Sequence, residues 1–317
     1  MQTLIALLLF LAALSSRASA QASPFDYDAR QALDWRDSLV ATEEGVEEYR
    51  FSFRSPKGGR ATGRLYRPVN PPAGSRLAGL IMGHGAPGST ENMASRAQYF
   101  AARGFVVAGI DAAFARRDPR QPITFSPRDS ADQVQTVVDL RRLVDALIAR
   151  SDVDGQRIGY LGISYGAAVG GALAGVEPRV NAYILAVGDL GFAPHFKAED
   201  GSWMRNFLGD ISETQLETWA RALDPVSGTS WFPRADGRKL FLQSNTQDEA
   251  VLPHVARVFH AAAPKGTRIQ WYESTHRLTA EHYVDHLRFL HEKLGTAPPT
   301  DADTTGPRLP APPPRTR

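Results

Sequence analysis

From residue 77 to residue 294, short unbroken apolar runs alternate with longer segments of helical period, and nothing else in the chain constrains its fold as tightly. A run of five to seven apolar residues suits a strand buried on both faces and is too short for a core helix. Strands alternating with helices predict an α/β architecture, a mostly parallel sheet with helices on both faces. The runs predict strands over 77–82, 105–110, 157–161, 180–186, 239–243 and 267–272. Two earlier segments, 48–53 and 61–66, are polar on alternate residues and predict an antiparallel hairpin at the edge, giving an eight-stranded sheet. Helices are predicted over 91–103, 129–149, 164–174, 212–223, 252–263 and 280–294. The clearest is 129–149, where Val134, Val137, Val138, Leu143, Val144, Leu147 and Ile148 share one face and Pro127 stands near the start.

The two ends read differently from the middle. Leu4 to Leu14 is an unbroken apolar run of eleven, shorter than the roughly 20 residues a membrane-spanning helix needs. Ala18-Ser19-Ala20 follows, a small-residue cleavage site, so residues 1–20 are expected to be a signal peptide and Gln21 the start of a periplasmic or secreted protein. No Lys or Arg precedes the run, which departs from the usual signal pattern. The domain proper is expected over 21–296. Residues 297–317 hold seven Pro among 21 and no apolar period, so a disordered tail is expected there.

Composition excludes several functions. With no cysteine, disulfide frameworks, zinc ribbons, iron–sulfur clusters and cysteine nucleophiles are ruled out. A net charge of +2 gives no pull toward nucleic acid or an anionic membrane. Neither H-E-x-x-H nor G-x-G-x-x-G nor a P-loop occurs, and no metal or cofactor is expected.

Gly162-Ile163-Ser164-Tyr165-Gly166 fits G-x-S-x-G, with a buried strand before it and a small-residue helix after it. In that setting the motif is a sharp strand-to-helix turn that lifts the serine clear of the sheet; the flanking glycines let backbone pass where a side chain would collide. Ser164 is therefore the candidate nucleophile. Asp248 lies just past the strand over 239–243, and His276 just past the last strand. Serine, then acid, then histidine is the chain order such a sheet uses, and each stands beyond the carboxyl end of a strand, where parallel sheets gather their sites. His276 would take the serine proton, and Asp248 would hold the imidazole tautomer; Glu249 and Asp189 are alternative acids. The Gly-rich loop Met82-Gly83-His84-Gly85-Ala86-Pro87-Gly88 follows the strand over 77–82. It supplies the Ala86 N–H as one oxyanion donor, with Gly85 the alternative, and the Tyr165 N–H as the other. Asp111 reads as a turn residue, and His282, His286 and His291 as surface or packing residues of the final helix.

Residues 188–237 break the alternation and read as a lid-like insertion over the sheet's active edge. Tyr165, Trp203 and Trp231, with Phe192 and Phe232, are expected to form an aromatic wall for an apolar acyl or aryl group, or else to anchor the insertion.

Taken together, the His84-Gly85 loop, the stretch from Asp152-Val153-Asp154 through Arg157-Ile158-Gly159 into Gly162–Gly166, and the Asp248 and His276 segments resemble the α/β-hydrolase superfamily. Within it the chain is similar to the branch of dienelactone hydrolases and acetyl-xylan esterases. The resemblance implies acyl transfer to serine and then to water, without a cofactor, on a small-molecule ester. Ser-Tyr-Gly also resembles prolyl-oligopeptidase-like peptidases, and a non-catalytic binding module on the same fold is the remaining alternative.

Overall fold

The structure, a computed structural model, describes residues 23–72, 74–193 and 211–309. The described strands are β1 (Arg36–Glu43), β2 (Val46–Arg54), β3 (Arg60–Pro68), β4 (Leu77–Gly83), β5 (Phe105–Ile110), β6 (Val153–Ile163), β7 (Ala182–Ala186), β8 (Leu240–Asn245) and β9 (Arg268–Tyr272). They form one sheet in the order β1-β2-β3-β5-β4-β6-β7-β8-β9. The first three are antiparallel and β3 pairs antiparallel with β5. From β5 to β9 every neighbouring pair is parallel.

The expected eight strands become nine because of β1. All but one of its residues are exposed, and a ladder to β2 holds it, with a register shift between Leu39 and Ala41. An outer strand packed on nothing leaves no apolar pattern to read.

The described helices are α1 (Ala94–Ala101), α2 (Pro127–Ala149), α3 (Tyr165–Ala174), α4 (Glu213–Leu223), α5 (Gly228–Trp231), α6 (Pro253–Ala261) and α7 (Ala280–Leu294). Ser126 caps α2 by accepting the Arg128 N–H, and Pro127 fills the first helical position, where its missing N–H removes nothing. The face expected from the sequence is the one α2 buries: Val137, Val138, Leu143, Val144 and Leu147 are fully covered. Alternation along the strands divides the core into two apolar layers. Ile81 packs with α2 and α3 on one side of the sheet, while Leu80 and Met82 pack with α1 and α7 on the other. In α3, Gly170 lets the helix lie against the sheet, since a Cβ there would stand 2.5 Å from the Tyr160 ring.

Among the described residues the insertion at 188–237 contains α4, α5 and two 3-10 turns; residues 194–210 lie outside the described residues, as does the expected signal peptide. Trp219 Nε1 of α4 donates to Asp129 Oδ2 at 2.8 Å, which ties the insertion to the first turn of α2.

The tail expectation needs correction over one stretch. Asp301–Thr305 forms a 3-10 turn in which Asp303 is buried, accepts from Arg103 Nε at 2.5 Å and accepts the Thr300 N–H at 2.6 Å. The anchor is a polar pair rather than an apolar stripe, so composition does not reveal it. Residues 310–317 lie outside the described ones.

Candidate active site

The chain leaves β4 toward β5 on one side and returns to β6 on the other, so β4 and β6 are neighbours whose following segments diverge. A crevice opens at the carboxyl ends of such a pair. The loop after β4 carries His84 to Ala86, and the turn after β6 carries Ser164.

Ser164 adopts φ 56°, ψ −118°, a conformation that L-residues rarely take and that a tight strand-to-helix turn imposes. Its neighbours make the turn possible. A Cβ on Gly162 would stand 2.2 Å from Gly166 O, and a Cβ on Gly166 would stand 2.2 Å from Gly83 O. Both clashes are with backbone, which cannot swing aside. Tyr160 Oη donates to Gly166 O at 2.7 Å, and the Ser164 N–H donates to Ala186 O at 2.9 Å, fixing the turn to its own strand and to β7.

The Gly-rich loop after β4 faces this turn: a Cβ built on Gly85 would stand 4.0 Å from Ser164 Oγ. His84 is buried behind it and sets its geometry. The Ala112 N–H donates to His84 Nε2 at 2.9 Å, so Nε2 is the bare nitrogen. Nδ1 then carries the proton and donates to Gly85 O at 2.7 Å. Burial holds the imidazole neutral by pushing its pKa down, and that keeps the tautomer. The Gly85–Ala86 peptide is trans, so drawing Gly85 O toward His84 turns the Ala86 N–H the opposite way. Among the described residues no partner takes the N–H of Ala86 or of Tyr165, which opens α3. Asp111, expected as a turn residue, braces the loop by accepting the Thr90 N–H at 2.9 Å and the Thr62 hydroxyl at 2.9 Å.

Asp248 and His276 meet. His276 Nδ1 lies 2.8 Å and 2.9 Å from the two carboxylate oxygens. The Asp248 side chain is 1% exposed, and its Oδ1 also accepts the Ala250 and Val251 N–H groups at 2.8 Å each. These bonds fix the carboxylate, so Nδ1 of a neutral His276 carries the proton and Nε2 is the free base. Glu249, one of the alternative acids, instead accepts the His276 backbone N–H at 3.4 Å. Among the described residues no hydrogen bond joins Ser164 Oγ to the imidazole of His276.

The aromatic wall divides. Tyr165 stacks on Phe192 with ring centroids 5.0 Å apart and meets Phe114 edge-on at 5.4 Å, beside the candidate nucleophile. Burial raises the Tyr165 phenol well above its usual range, so it stays neutral. Trp203 lies outside the described residues. Trp231 needs correction: its carbonyl would be 2.1 Å from a Cβ on Gly175, at the far end of α3, about 16 Å along the helix from Ser164. Its ring packs on Phe25 and its Nε1 donates to Pro225 O. Phe232 likewise is buried against Phe259. Both anchor the insertion to the flank of the sheet rather than line the crevice. A hydrophobic residue in an insertion looks the same whichever way it faces, so sequence does not separate the two roles.

Sequence reasoning also missed Asn245 and His282, which hold the loop carrying His276. Asn245 stands three residues before Asp248 at the strand end, and that position was the available signal.

The architecture is shared with solved structures. An acetyl xylan esterase from Paenibacillus sp. R4 matches with a TM-score of 0.69 at 20% identity, over 83% of this chain and 90% of that one. Acetyl Xylan Esterase 1 from Thermoanaerobacterium sp. JW/SL YS485 matches with a TM-score of 0.63 at 17% identity, over 85% and 90%. A Mycobacterium tuberculosis puromycin-hydrolyzing peptidase matches with a TM-score of 0.66 at 19% identity, over 83% of this chain and 42% of that one. With the strand order above, these likenesses identify the α/β-hydrolase fold. No protein-family profile and no curated protein sequence matches the chain. No helix among the described residues is long and apolar enough to cross a membrane, and none of their His, Asp and Glu form a cluster able to hold a metal ion.

Proposed function

We propose that this chain is a serine hydrolase that cleaves small carboxylic esters through an acyl-enzyme intermediate. The observation that carries the reading is the Asp248–His276 pair at the same carboxyl edge of the sheet as a serine held at φ 56°. In the first half-reaction Ser164 Oγ attacks the ester carbonyl carbon while His276 Nε2 takes its proton. The carbonyl oxygen gathers negative charge, which the N–H groups of Ala86 and Tyr165 stabilise. The carbon–alkoxy bond then breaks and His276 returns its proton to the leaving alcohol. In the second half-reaction water, giving its proton to His276 Nε2, attacks the acyl carbon; the acyl carbon–Oγ bond breaks, His276 returns the proton to Ser164 Oγ, and the carboxylic acid departs. Asp248 keeps Nδ1 protonated and stabilises the imidazolium formed at each attack. The hydroxyl–imidazole contact commonly closes only in the complex with substrate.

Tyr165 and Phe192 fit an apolar wall beside the acyl group, and Trp203 belongs to the same reading. Export with cleavage after Ala20 is part of it, and the intact mass of the protein recovered after export tests that step. Ser164→Ala should lower hydrolysis of p-nitrophenyl acetate by at least about 1,000-fold with the fold retained; undiminished turnover would overturn the proposal.

A second reading, a serine peptidase, draws on likeness to the puromycin-hydrolyzing peptidase and to a Pyrococcus horikoshii acylaminoacyl peptidase. The chain spans 42% and 44% of those proteins. Matched ester and amide substrates separate the readings, because a peptidase must turn over the amide.

A further inference from the structure

β8 ends at Asn245, which is 1% exposed. Every hydrogen bond of its side chain has a fixed direction. The backbone N–H of Thr279 can only donate, and it lies 3.0 Å from His282 Nδ1. Nδ1 is therefore the bare nitrogen and Nε2 carries the proton. Burial agrees, pushing the His282 pKa down to about 4 so that the ring is neutral. His282 Nε2–H then donates to Asn245 Oδ1 at 3.0 Å. That sets the amide: Nδ2 faces the other way and donates to Thr275 O at 2.5 Å and Arg277 O at 3.0 Å. Those two carbonyls flank His276 on either side.

A second rung keeps this arrangement in register. Gln243 lies two residues earlier on the same face of β8, and its Oε1 meets His286 Nε2 at 2.5 Å, one helical turn further along α7. Gln243 Nε2 donates to Tyr272 Oη, which donates to Asp285 Oδ2, so the strand, its neighbour β9 and the helix are linked together.

The geometry points to Asn245, oriented by His282, as the positioning residue for His276: it grips the peptide carbonyls on both sides of the imidazole and so fixes where Nε2 stands relative to Ser164 Oγ. The inference rests on the triad reading above. Asp248 grips only the ring, at Nδ1; Glu249 on the His276 N–H and Ser274 Oγ on Arg277 O also hold the backbone, but Asn245 reaches the carbonyls on both sides of the ring. Neither Asn245 nor His282 touches the reacting atoms.

The full chain and p-nitrophenyl acetate test it. Asn245→Ala should lower kcat by about 10- to 100-fold with KM unchanged within about twofold, because misplacing a base by about 1 Å is worth up to that much. His282 supplies the rescue. In His282→Gln the side-chain NH2 can replace Nε2 as donor to Asn245 Oδ1, so kcat should stay within about threefold of the parent. His282→Leu has no donor and should lose about tenfold or more. The Gln and Leu variants delete the same ring, so a merely structural role would lower both together with Tm. Wild-type kcat in Asn245→Ala, a change confined to KM, or equal kcat in the two His282 variants would each overturn the inference; if Asn245→Ala does not fold, the His282 pair decides. Ser164→Ala assayed alongside separates the two levels. Full activity there removes the triad reading itself, whereas loss there with wild-type kcat in Asn245→Ala removes only the positioning role.

Discussion

At Ser164 the backbone holds φ 56°, and the glycines at 162 and 166 allow it because the space where their Cβ atoms would sit is already occupied by backbone. Gly162→Ala and Gly166→Ala should each destabilise the fold by about 1–3 kcal/mol or more, read from urea unfolding. The serine itself is strained, and a residue without a Cβ would not be. Ser164→Gly should therefore be more stable than Ser164→Ala by about 1 kcal/mol, both being inactive. Equal stability of the two would show that the turn stores no strain at this position. G-x-S-x-G revealed the turn because the requirement for small residues is local. The aid that His84 gives Ala86 was not legible, since it depends on the Ala112 N–H, 28 residues away in the chain.

Between elements, polar pairs do what apolar patterning cannot reveal. Trp219 of α4 reaches Asp129 of α2, a buried carboxylate that also accepts the Thr124 N–H and hydroxyl. Trp219→Phe removes one donor from that carboxylate and should cost about 1–3 kcal/mol in thermal or urea unfolding. On the other side of the sheet, α7 meets β8 through His282–Asn245 and His286–Gln243. The sequence reading gave those histidines to surface or packing, because the period of α7 alone cannot say what faces them across the sheet. Burial pushes His282 and His260 down to about 4 and lowers His286 and His84 too. Unfolded, each returns to about 6.5. Between those values the unfolded chain binds more protons, so the stability these groups contribute is complete above about pH 6.5 and falls as pH drops toward 4. Unfolding free energy should accordingly be lower at about pH 4.5 than at about pH 7.5, with a smaller difference in His282→Gln. An unchanged difference in that variant would show that His282 titrates alike in both states.

Over the whole molecule, the parallel strands β4 to β8 and the helices beside them were legible because both faces are covered and each strand carries a short apolar run. The exposed β1 and the docked turn at Asp301–Thr305 were not, since one is held by a backbone ladder and the other by Arg103 and Asp303. What the sheet accomplishes is convergence: three segments spread over more than a hundred residues of chain end at one edge, with Ser164, Asp248 and His276 beyond the ends of β6, β8 and β9. The most direct test of that convergence is labelling with a fluorophosphonate probe followed by peptide mass mapping. The account predicts one adduct, on the peptide carrying Ser164, abolished in Ser164→Ala and slowed by at least about 100-fold in His276→Ala. An adduct on another residue, or labelling of Ser164 that persists at the parent rate without His276, would contradict it.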